Sequence, residues 1–274
     1  MSATVRPVGG LTWAGRDAGA MAKRNLRRMF RAPEGITFTL IQPVMFVLLF
    51  RYVFGGAIPI PGSNYVNFLI PGIAAQTAVF GASLTGVGLA EDLSKGFVDR
   101  LRSLPMARSA VLVGRLAADF VLNTAVLAVL LITGFLVGFR PQSIPGLLIG
   151  AVLLLGFSLS ISCMMACLGL ALGKVEAVQA ASFPIIFPFT FASSAFVPVQ
   201  TMPGWLQVFA QHQPFTVVVD AVRSLTAGDI SVQVRQALFN GATTAELIVQ
   251  SLAWTAGFIL VFGFLAVRSY RRIT

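Results

Sequence analysis

The stretch that decides the fold is "GLLIGAVLLLGFSLSISCMMACLGLALG", residues 146–173, which contains no charged side chain. An apolar run of this length can cross a bilayer core of about 30 Å as a single α-helix. Similar runs recur on both sides of it, and the whole chain is 56% hydrophobic but only 11% charged. This composition is too apolar for an ordinary soluble domain, and it predicts an all-α membrane protein with several spans.

Working outward from this run, the hydropathy predicts six transmembrane helices. Together they form one domain, residues 36–267, preceded by an N-terminal segment, residues 1–35, and followed by a basic tail, residues 268–274. The predicted spans cover residues 36–58, 65–90, 110–139, 146–173, 177–196 and 247–267.

The basic residues predict the orientation of this domain. With six spans, fifteen of the twenty Lys and Arg residues fall on one side: in the N-terminal segment, the loop between spans two and three, the link at Lys174 and the tail. Positive residues concentrate on the cytoplasmic side, so we expect a plasma (inner) membrane protein with both termini in the cytoplasm. The same bias accounts for the net charge of +10. Because basic residues interleaved with aromatic ones are missing, we expect no nucleic-acid partner.

Residues 10–32 are typical of an amphipathic helix. Apolar residues such as Met21 form one side, and a basic cluster that includes Arg24, Arg27 and Arg28 lies beside it. We expect this helix to lie along the headgroups with its basic side toward anionic lipid, and to end at Pro33.

The segment from residue 199 to residue 246 has a different character. It is too polar and too interrupted for a full span, yet too apolar for a free loop. We predict one or two short re-entrant or interfacial helices on the outer side, with Trp205 at headgroup depth and His212 in a structural role.

The segment "EDLSKGFVDRLRSLP", residues 91–105, is highly charged although it lies between two apolar runs. Its apolar residues recur at helical spacing, and Pro105 ends the pattern, which predicts a cytoplasmic helix of about 20 Å. Two uses remain open from the pattern alone: a helix lying on the lipid surface, or a helix that docks on a soluble partner. The apolar stripe consists of Leu93, Phe97, Leu101 and Leu104.

The chain lacks the motifs of catalysis and nucleotide binding. "GLALGK", residues 169–174, is one residue shorter than a P-loop and is followed by Val175 instead of Ser or Thr. His212 has no companions at metal-ligand spacing, and Asp119 is expected to form a local i, i+4 ion pair with Arg115. We therefore predict that the chain is not an enzyme and that it holds no metal or cofactor of its own.

Three segments resemble the type-2 family of ABC-transporter permeases, in the branch of the daunorubicin/doxorubicin resistance permeases. The resemblance runs nearly end to end and in order, with Arg51 as a departure where an apolar residue is expected. The segments are "NFLIPGIAAQT" (67–77), "EDLSKGFVDRLRSLPMARSAVLVGRLAAD" (91–119) and "SSAFVPVQTMPGWLQVFAQHQPFTVVVDAVRSLTAGD" (193–229).

The resemblance implies a six-helix permease that works as a homo- or heterodimer with two copies of a cytoplasmic ABC ATPase, which holds the ATP and Mg. Segment 91–105 would be the coupling helix, and the N-terminal amphipathic helix would be the connecting helix, with Arg24, Arg27 and Arg28 on the ATPase. The coupling residues implied in this way are Glu91, Gly96, Phe97, Arg100, Leu101 and Pro105.

The expected cargo is a hydrophobic or amphipathic compound, such as a drug, an antibiotic or a lipid, and the resemblance implies export, as in multidrug efflux. A cavity for such a compound needs apolar walls with isolated polar groups. Candidates at i, i+4 on spans one and two are Gln42, Phe46, Gln76 and Phe80.

Two other functions compete with export. A membrane-integral lipid-modifying enzyme would work without an ATPase, but it would need acidic or His clusters at one interface, which the sequence lacks. A non-transporting anchor or sensor would use segment 91–105 merely to recruit a cytoplasmic protein.

Overall fold

The computed structural model describes residues 11–31, 33–56, 60, 64–97, 110–228 and 231–273, which are predominantly helical. The helices are α1 (Leu11–Arg31), α2 (Pro33–Leu49), a π-helical turn (Phe50–Phe54), α3 (Tyr65–Ser94), α4 (Ala110–Leu136), α5 (Ile144–Leu172), α6 (Val175–Phe191), a 3-10 turn (Val199–Thr201), α7 (Gly204–His212), α8 (Pro214–Ala227), α9 (Val232–Phe239) and α10 (Thr244–Ile273).

The prediction of an all-α membrane protein is confirmed in its coarse form. Among the described residues, five helical stretches are long and apolar enough to cross a membrane, and α6 is a shorter apolar helix of 17 residues. The length criterion therefore does not establish the sixth span. The five stretches are Thr37–Phe54, Tyr65–Ser94, Ala110–Leu136, Ile144–Leu172 and Val232–Tyr270.

Helix α3 forms the centre of the structure. It packs against α4, α5, α6 and α8, and its inward side chains, including Leu69 and Ile73, join Leu130, Phe157 and Val218 in the main apolar core. By contrast, α2 has little protein around it and leaves most of its apolar side chains exposed. A helix that is apolar but uncovered by protein is typical of a surface that faces lipid or another subunit.

Several predicted boundaries differ from the structure. Span five was expected to reach residue 196, but α6 ends at Phe191. There the Ser193 hydroxyl donates to the Thr190 carbonyl, and the Ser194 hydroxyl donates to Asp220. The Ser193 bond offers the backbone an alternative to the helix, because it satisfies a carbonyl that the next turn would have used, and the Ser194 bond attaches this point of the chain to α8.

The basic tail is also not a separate segment, since α10 continues to Ile273. Ala266 and Tyr270 are buried in a cluster with Met21 of α1, which gives the last turns of α10 a packing partner. The prediction that α1 ends before Pro33 is confirmed, since Pro33 is the first residue of α2 and its fixed φ suits that position.

The segment before α10 contains more helices than the one or two predicted. It holds the 3-10 turn and helices α7, α8 and α9, of which α8 is buried against α3, α5 and α10. Trp205 on α7 is exposed, and the exposed His212 ring contacts the Val208 carbonyl of its own helix through Nδ1 at 2.9 Å. That these helices re-enter the membrane stays a prediction.

Candidate functional site

A cavity of about 190 Å³ lies between α2 and α3, and all four residues predicted for a substrate cavity line it. Gln76 is buried, Gln42 is exposed at the rim, and Phe46 and Phe80 are half-buried. Apolar walls with a few polar groups suit a ligand that is itself mostly apolar. The remaining lining residues are Thr39, Pro43, Thr77, Gly81, Ser83 and Leu84.

A ladder of stacked phenylalanines connects this cavity to α6. The Phe46 ring lies 6.0 Å from Phe50, and Phe50 lies 4.7 Å from Phe196, measured between centroids. The Phe196 ring is tilted against Phe191 at 5.2 Å, and Phe191 stacks on Phe187 at 4.2 Å. The i, i+4 spacing of phenylalanines along each helix is visible in the sequence, but the contact of Phe50 with Phe196 depends on the fold. Aromatic rings at these distances attract one another beyond their burial, so the ladder holds α2 to α6.

Behind the cavity, a buried ion pair joins α4 to α3. Arg115 and Asp119 form the predicted i, i+4 pair, with Nε 3.0 Å from Oδ2. Both residues are less than 10% exposed, and Thr85 of α3 donates to the same Asp119 oxygen at 2.6 Å, while Arg115 donates to the Leu84 carbonyl at 2.8 Å. The pair is therefore not merely local, because it fixes the distance between two long helices.

One turn further along α4, Asn123 extends this polar contact to α5. Its amide donates to the Ser158 hydroxyl at 2.9 Å, and Ser158 donates to the Ala78 carbonyl of α3 at 3.0 Å. Buried polar groups in a membrane protein are costly unless they are hydrogen-bonded, so these bonds also specify how the three helices pack.

A cluster of charges joins α1 to the last turn of α3. We call this part of the molecule the α1 end of the bundle. Arg24 and Arg28 each form an ion pair with Asp92 at 3.1 Å. Glu91 pairs with Arg28 and, at 2.6 Å, with Lys95. Two of the three arginines predicted to contact an ATPase are thus engaged within the chain, whereas Arg27 is exposed.

The predicted helix over residues 91–105 is wrong at its beginning. Glu91–Ser94 continue α3, and the chain then turns at Lys95 and Gly96 before Phe97. Gly96 adopts a φ of +62°, a left-handed conformation that glycine accepts at little cost. Of the remaining coupling candidates, Arg100, Leu101 and Pro105 lie outside the described residues.

The apolar stripe of this segment begins by facing inward. Leu93 and Phe97 pack against the cluster that contains Met21 and Leu89, and the Arg24 guanidinium lies over the Phe97 ring at 3.7 Å from the centroid. This part of the stripe therefore binds the membrane domain itself.

A second buried ion pair lies at the other end of α3, where α3 meets α8. We call this part of the molecule the α8 end of the bundle. Arg223 pairs with Asp220 at 3.2 Å, and it donates to the carbonyls of Phe68 and Ala195, each at 2.8 Å. It also lies over the Phe68 ring at 3.5 Å, while Asp220 accepts from Ser194 at 2.7 Å. Arg223 lies in the segment predicted to form outer re-entrant or interfacial helices, and this pair was not predicted, although its i, i+3 spacing on an apolar helix is a recognisable signal.

Among the described residues, no group of three or more His, Cys, Asp or Glu side chains could hold a metal ion. The two cysteines, Cys163 and Cys167, are free thiols, buried and half-buried respectively.

Comparison with known proteins gives consistent similarities. The family model of the ABC-2 type transporter matches residues 16–226. The chain is 34% identical over 242 residues to the daunorubicin resistance ABC transporter permease protein DrrB1 of Streptomyces coeruleorubidus, covering 87% of this chain and 80% of that protein. It is 28% identical over 259 residues to the probable doxorubicin resistance ABC transporter permease protein DrrC of Mycobacterium tuberculosis, with coverages of 91% and 86%. It is 27% identical over 210 residues to the putative transport permease ycf38 of Porphyra purpurea, with coverages of 74% and 72%.

Proposed function

Because this chain belongs to the ABC-2 type transporter family, we propose that it is the permease subunit of an ATP-driven exporter. The cargo is a hydrophobic or amphipathic compound, such as a drug, an antibiotic or a lipid, that leaves across the plasma membrane. The names of two relatives, which specify resistance to daunorubicin and doxorubicin, support this class of cargo. ATP and Mg bind to a separate cytoplasmic ATPase subunit, and this chain is not itself an enzyme.

The observation that carries the proposal is the cavity between α2 and α3. It combines two phenylalanines with two glutamines, and one of these, Gln76, is only 4% exposed. A buried amide can hydrogen-bond a polar group on a cargo whose apolar body contacts Phe46 and Phe80. The uncovered surface of α2 lets a lipid-soluble compound approach the cavity from within the bilayer.

The proposed topology has six spans, with α6 as the fifth. A helix of 17 residues is about 25 Å long, which is at the lower end of what crosses a bilayer. The α1 end then faces the cytoplasm, together with both termini and most basic residues. This orientation places Arg27 and Lys95, both exposed, on the side of the ATPase.

Two segments are proposed to contact the ATPase: α1, through Arg24, Arg27 and Arg28, and the segment after α3. The permease works as a dimer, either with a second copy of this chain or with a related one. The proposed contact residues at the end of α3 and in the segment after it are Glu91, Gly96, Phe97, Arg100, Leu101 and Pro105.

Reconstitution with the cognate ATPase tests the proposal, with doxorubicin as the probe. We expect doxorubicin to stimulate ATP hydrolysis and to accumulate in inside-out vesicles in an ATP-dependent way. Gln76→Leu removes the buried amide, and we expect it to raise the half-maximal doxorubicin concentration about tenfold, the effect of losing a hydrogen bond of about 1.4 kcal/mol. The matched control is Gln250→Leu on α10, an exposed glutamine outside the cavity, which should behave as the unmodified protein.

Other results would favour the competing functions. An ATPase whose hydrolysis is indifferent to every amphipathic compound tried would indicate an anchor or sensor. Modification of a lipid by the permease alone would indicate an enzyme.

A further inference from the structure

We infer that Asp92 is a positioning residue that fastens α1 to the end of α3, so that the two segments proposed to contact the ATPase move as one body. This inference rests on the proposed function, because it assigns a route by which the ATPase acts on the membrane domain. Asp92 itself is only 4% exposed and presents no surface to a partner.

Each carboxylate oxygen of Asp92 is bound by an arginine of α1, an arrangement that we call the clamp. Its Oδ1 accepts a hydrogen bond from Arg28 Nη1 at 3.1 Å, and its Oδ2 accepts one from Arg24 Nη2, also at 3.1 Å. Arg24 and Arg28 are one turn apart on α1, so both hydrogen bonds come from the same face of that helix. Separating α1 from α3 would leave a buried carboxylate without its partners, which is costly.

Apolar contacts on the same face of α1 add to this attachment. Met21 is buried against α4, where α1 approaches so closely that a Cβ on Gly114 would lie 2.8 Å from the Ala18 carbonyl oxygen. Arg24 reaches over Phe97 as well, so the beginning of the next segment is attached to the same unit. A force applied to α1 or to the segment after α3 is therefore delivered to α3 and α4 together.

This unit leads directly to the cavity. Phe80, which lines the cavity, lies twelve residues before Asp92 on the same helix, about 18 Å along its axis. A rigid rotation of α3 driven from the α1 end consequently moves one wall of the cavity.

Glu91 is adjacent and also pairs with Arg28 of α1, but it provides a weaker connection. The Glu91 side chain is 30% exposed, and those of its partners Arg28 and Lys95 are 39% and 64% exposed. Water can replace an exposed pair of this kind at little cost. The fastening therefore depends on Asp92.

The first test compares Asp92→Asn with Glu176→Gln, which removes an equal charge from an exposed position at the start of α6. In the reconstituted complex with doxorubicin, we expect Asp92→Asn to lower transport per ATP hydrolysed about fivefold or more, a coupling loss of ordinary size. Hydrolysis itself should continue, Asp92→Glu should restore the ratio, and Glu176→Gln should leave it unchanged. An unchanged ratio for Asp92→Asn would overturn the inference, whereas an unmodified complex that neither transports nor responds to doxorubicin would overturn the proposed function instead.

The second test needs no ATPase and also applies if the Asp92→Asn complex does not assemble. Spin labels are placed on Lys23→Cys in α1 and Ser94→Cys at the end of α3, both exposed positions, in a protein with Cys163 and Cys167 replaced by alanine. We expect a single narrow distance distribution with Asp92 and a broad one with Asp92→Asn. The double variant Arg24→Gln/Arg28→Gln should broaden the distance distribution in the same way. Adding Asp92→Asn to this double variant should broaden the distribution no further. Narrow distributions in all variants would contradict the clamp.

Discussion

Both ends of α3 are attached to a neighbouring helix by aspartate and arginine, but in opposite environments. At the α8 end, the side chains of Arg223 and Asp220 are 4% and 10% exposed. At the α1 end, Asp92 is buried, but the side chains of Arg24 and Arg28 are 32% and 39% exposed. In each case an arginine also lies over a phenylalanine ring of the segment that it holds.

The difference indicates which end moves. A fully buried pair whose arginine also bonds two carbonyls is shielded from water, so the α8 end is fixed. At the α1 end the arginines are one-third exposed and only the Asp92 carboxylate is buried, so a partner can reach this end and shift α1 together with the end of α3. The molecule is rigid where α8 meets α3 and adjustable where the ATPase is proposed to act.

The largest effect is expected from Arg223→Met, which leaves Asp220 buried with Ser194 as its remaining partner. Breaking a buried pair in this way should lower the free energy of unfolding by about 3–5 kcal/mol. Thermal unfolding in detergent, followed by dye labelling of the buried Cys163, measures this change. Arg140→Met is the control, since Arg140 lies at the same end but is exposed, and it should change stability by no more than about 0.5 kcal/mol. Equal effects of the two would contradict the assignment of the α8 end as the fixed one.

An intermediate effect is expected from Asp119→Asn, on α4 at its contact with Thr85 of α3. Asparagine keeps the shape and a bond to Thr85 but loses the charge that pairs with Arg115, so the loss should be about 1–3 kcal/mol in the same assay. The control is Thr124→Val, whose hydroxyl bonds only the Phe120 carbonyl of its own helix among the bonds described. If both variants unfold alike, the pair does not hold α4 to α3.

A smaller effect on stability is expected from Asp92→Asn, no more than about 1 kcal/mol, because water can solvate the released arginines. The Asp92→Asn variant should therefore lose little stability although it transports less cargo per ATP hydrolysed. Thermal unfolding measured beside the coupling ratio checks this separation. A loss as large as that of Arg223→Met would mean that the α1 end is as rigid as the α8 end.

The smallest effect is expected from salt. Raising the ionic strength from 0.1 to 1 M shortens the Debye length from about 10 to about 3 Å. We expect the distance distribution between labels at positions 23 and 94 to broaden slightly, because the arginines of the α1 end are partly in water. The distance distribution between labels on α8 and α3 should not change with salt. If it broadened, the α8 end would not be the more rigid of the two ends.

The sequence predicted the parts of the site that lie on one helix face. Gln42 and Phe46 are one turn apart, as are Gln76 and Phe80, and both pairs line the same cavity. The ion pair between Arg115 and Asp119 follows from the same spacing. Neighbours of this kind can be read from the sequence because the 3.6-residue period fixes which side chains within a helix are adjacent.

The sequence did not predict the contacts between distant segments. Arg24 and Asp92 are 68 residues apart, and Arg223 and Phe68 are 155 residues apart, so no local period relates them. The turn at Gly96 was also missed, because the apolar stripe continues through it at helical spacing, whereas α3 ends at Ser94 and Gly96 adopts a positive φ.

By itself, then, the sequence determined an all-α membrane protein, the approximate limits of its long helices, and which residues share a face. The cause is local, since long uncharged runs must satisfy their backbone hydrogen bonds internally within a bilayer. The tertiary structure alone decided that α3 is the central helix, that Asp92 joins it to α1, and that Asp220 and Arg223 fix its other end. These choices depend on which buried charges find partners across the bundle, a balance of burial and pairing between segments that no single stretch of sequence contains.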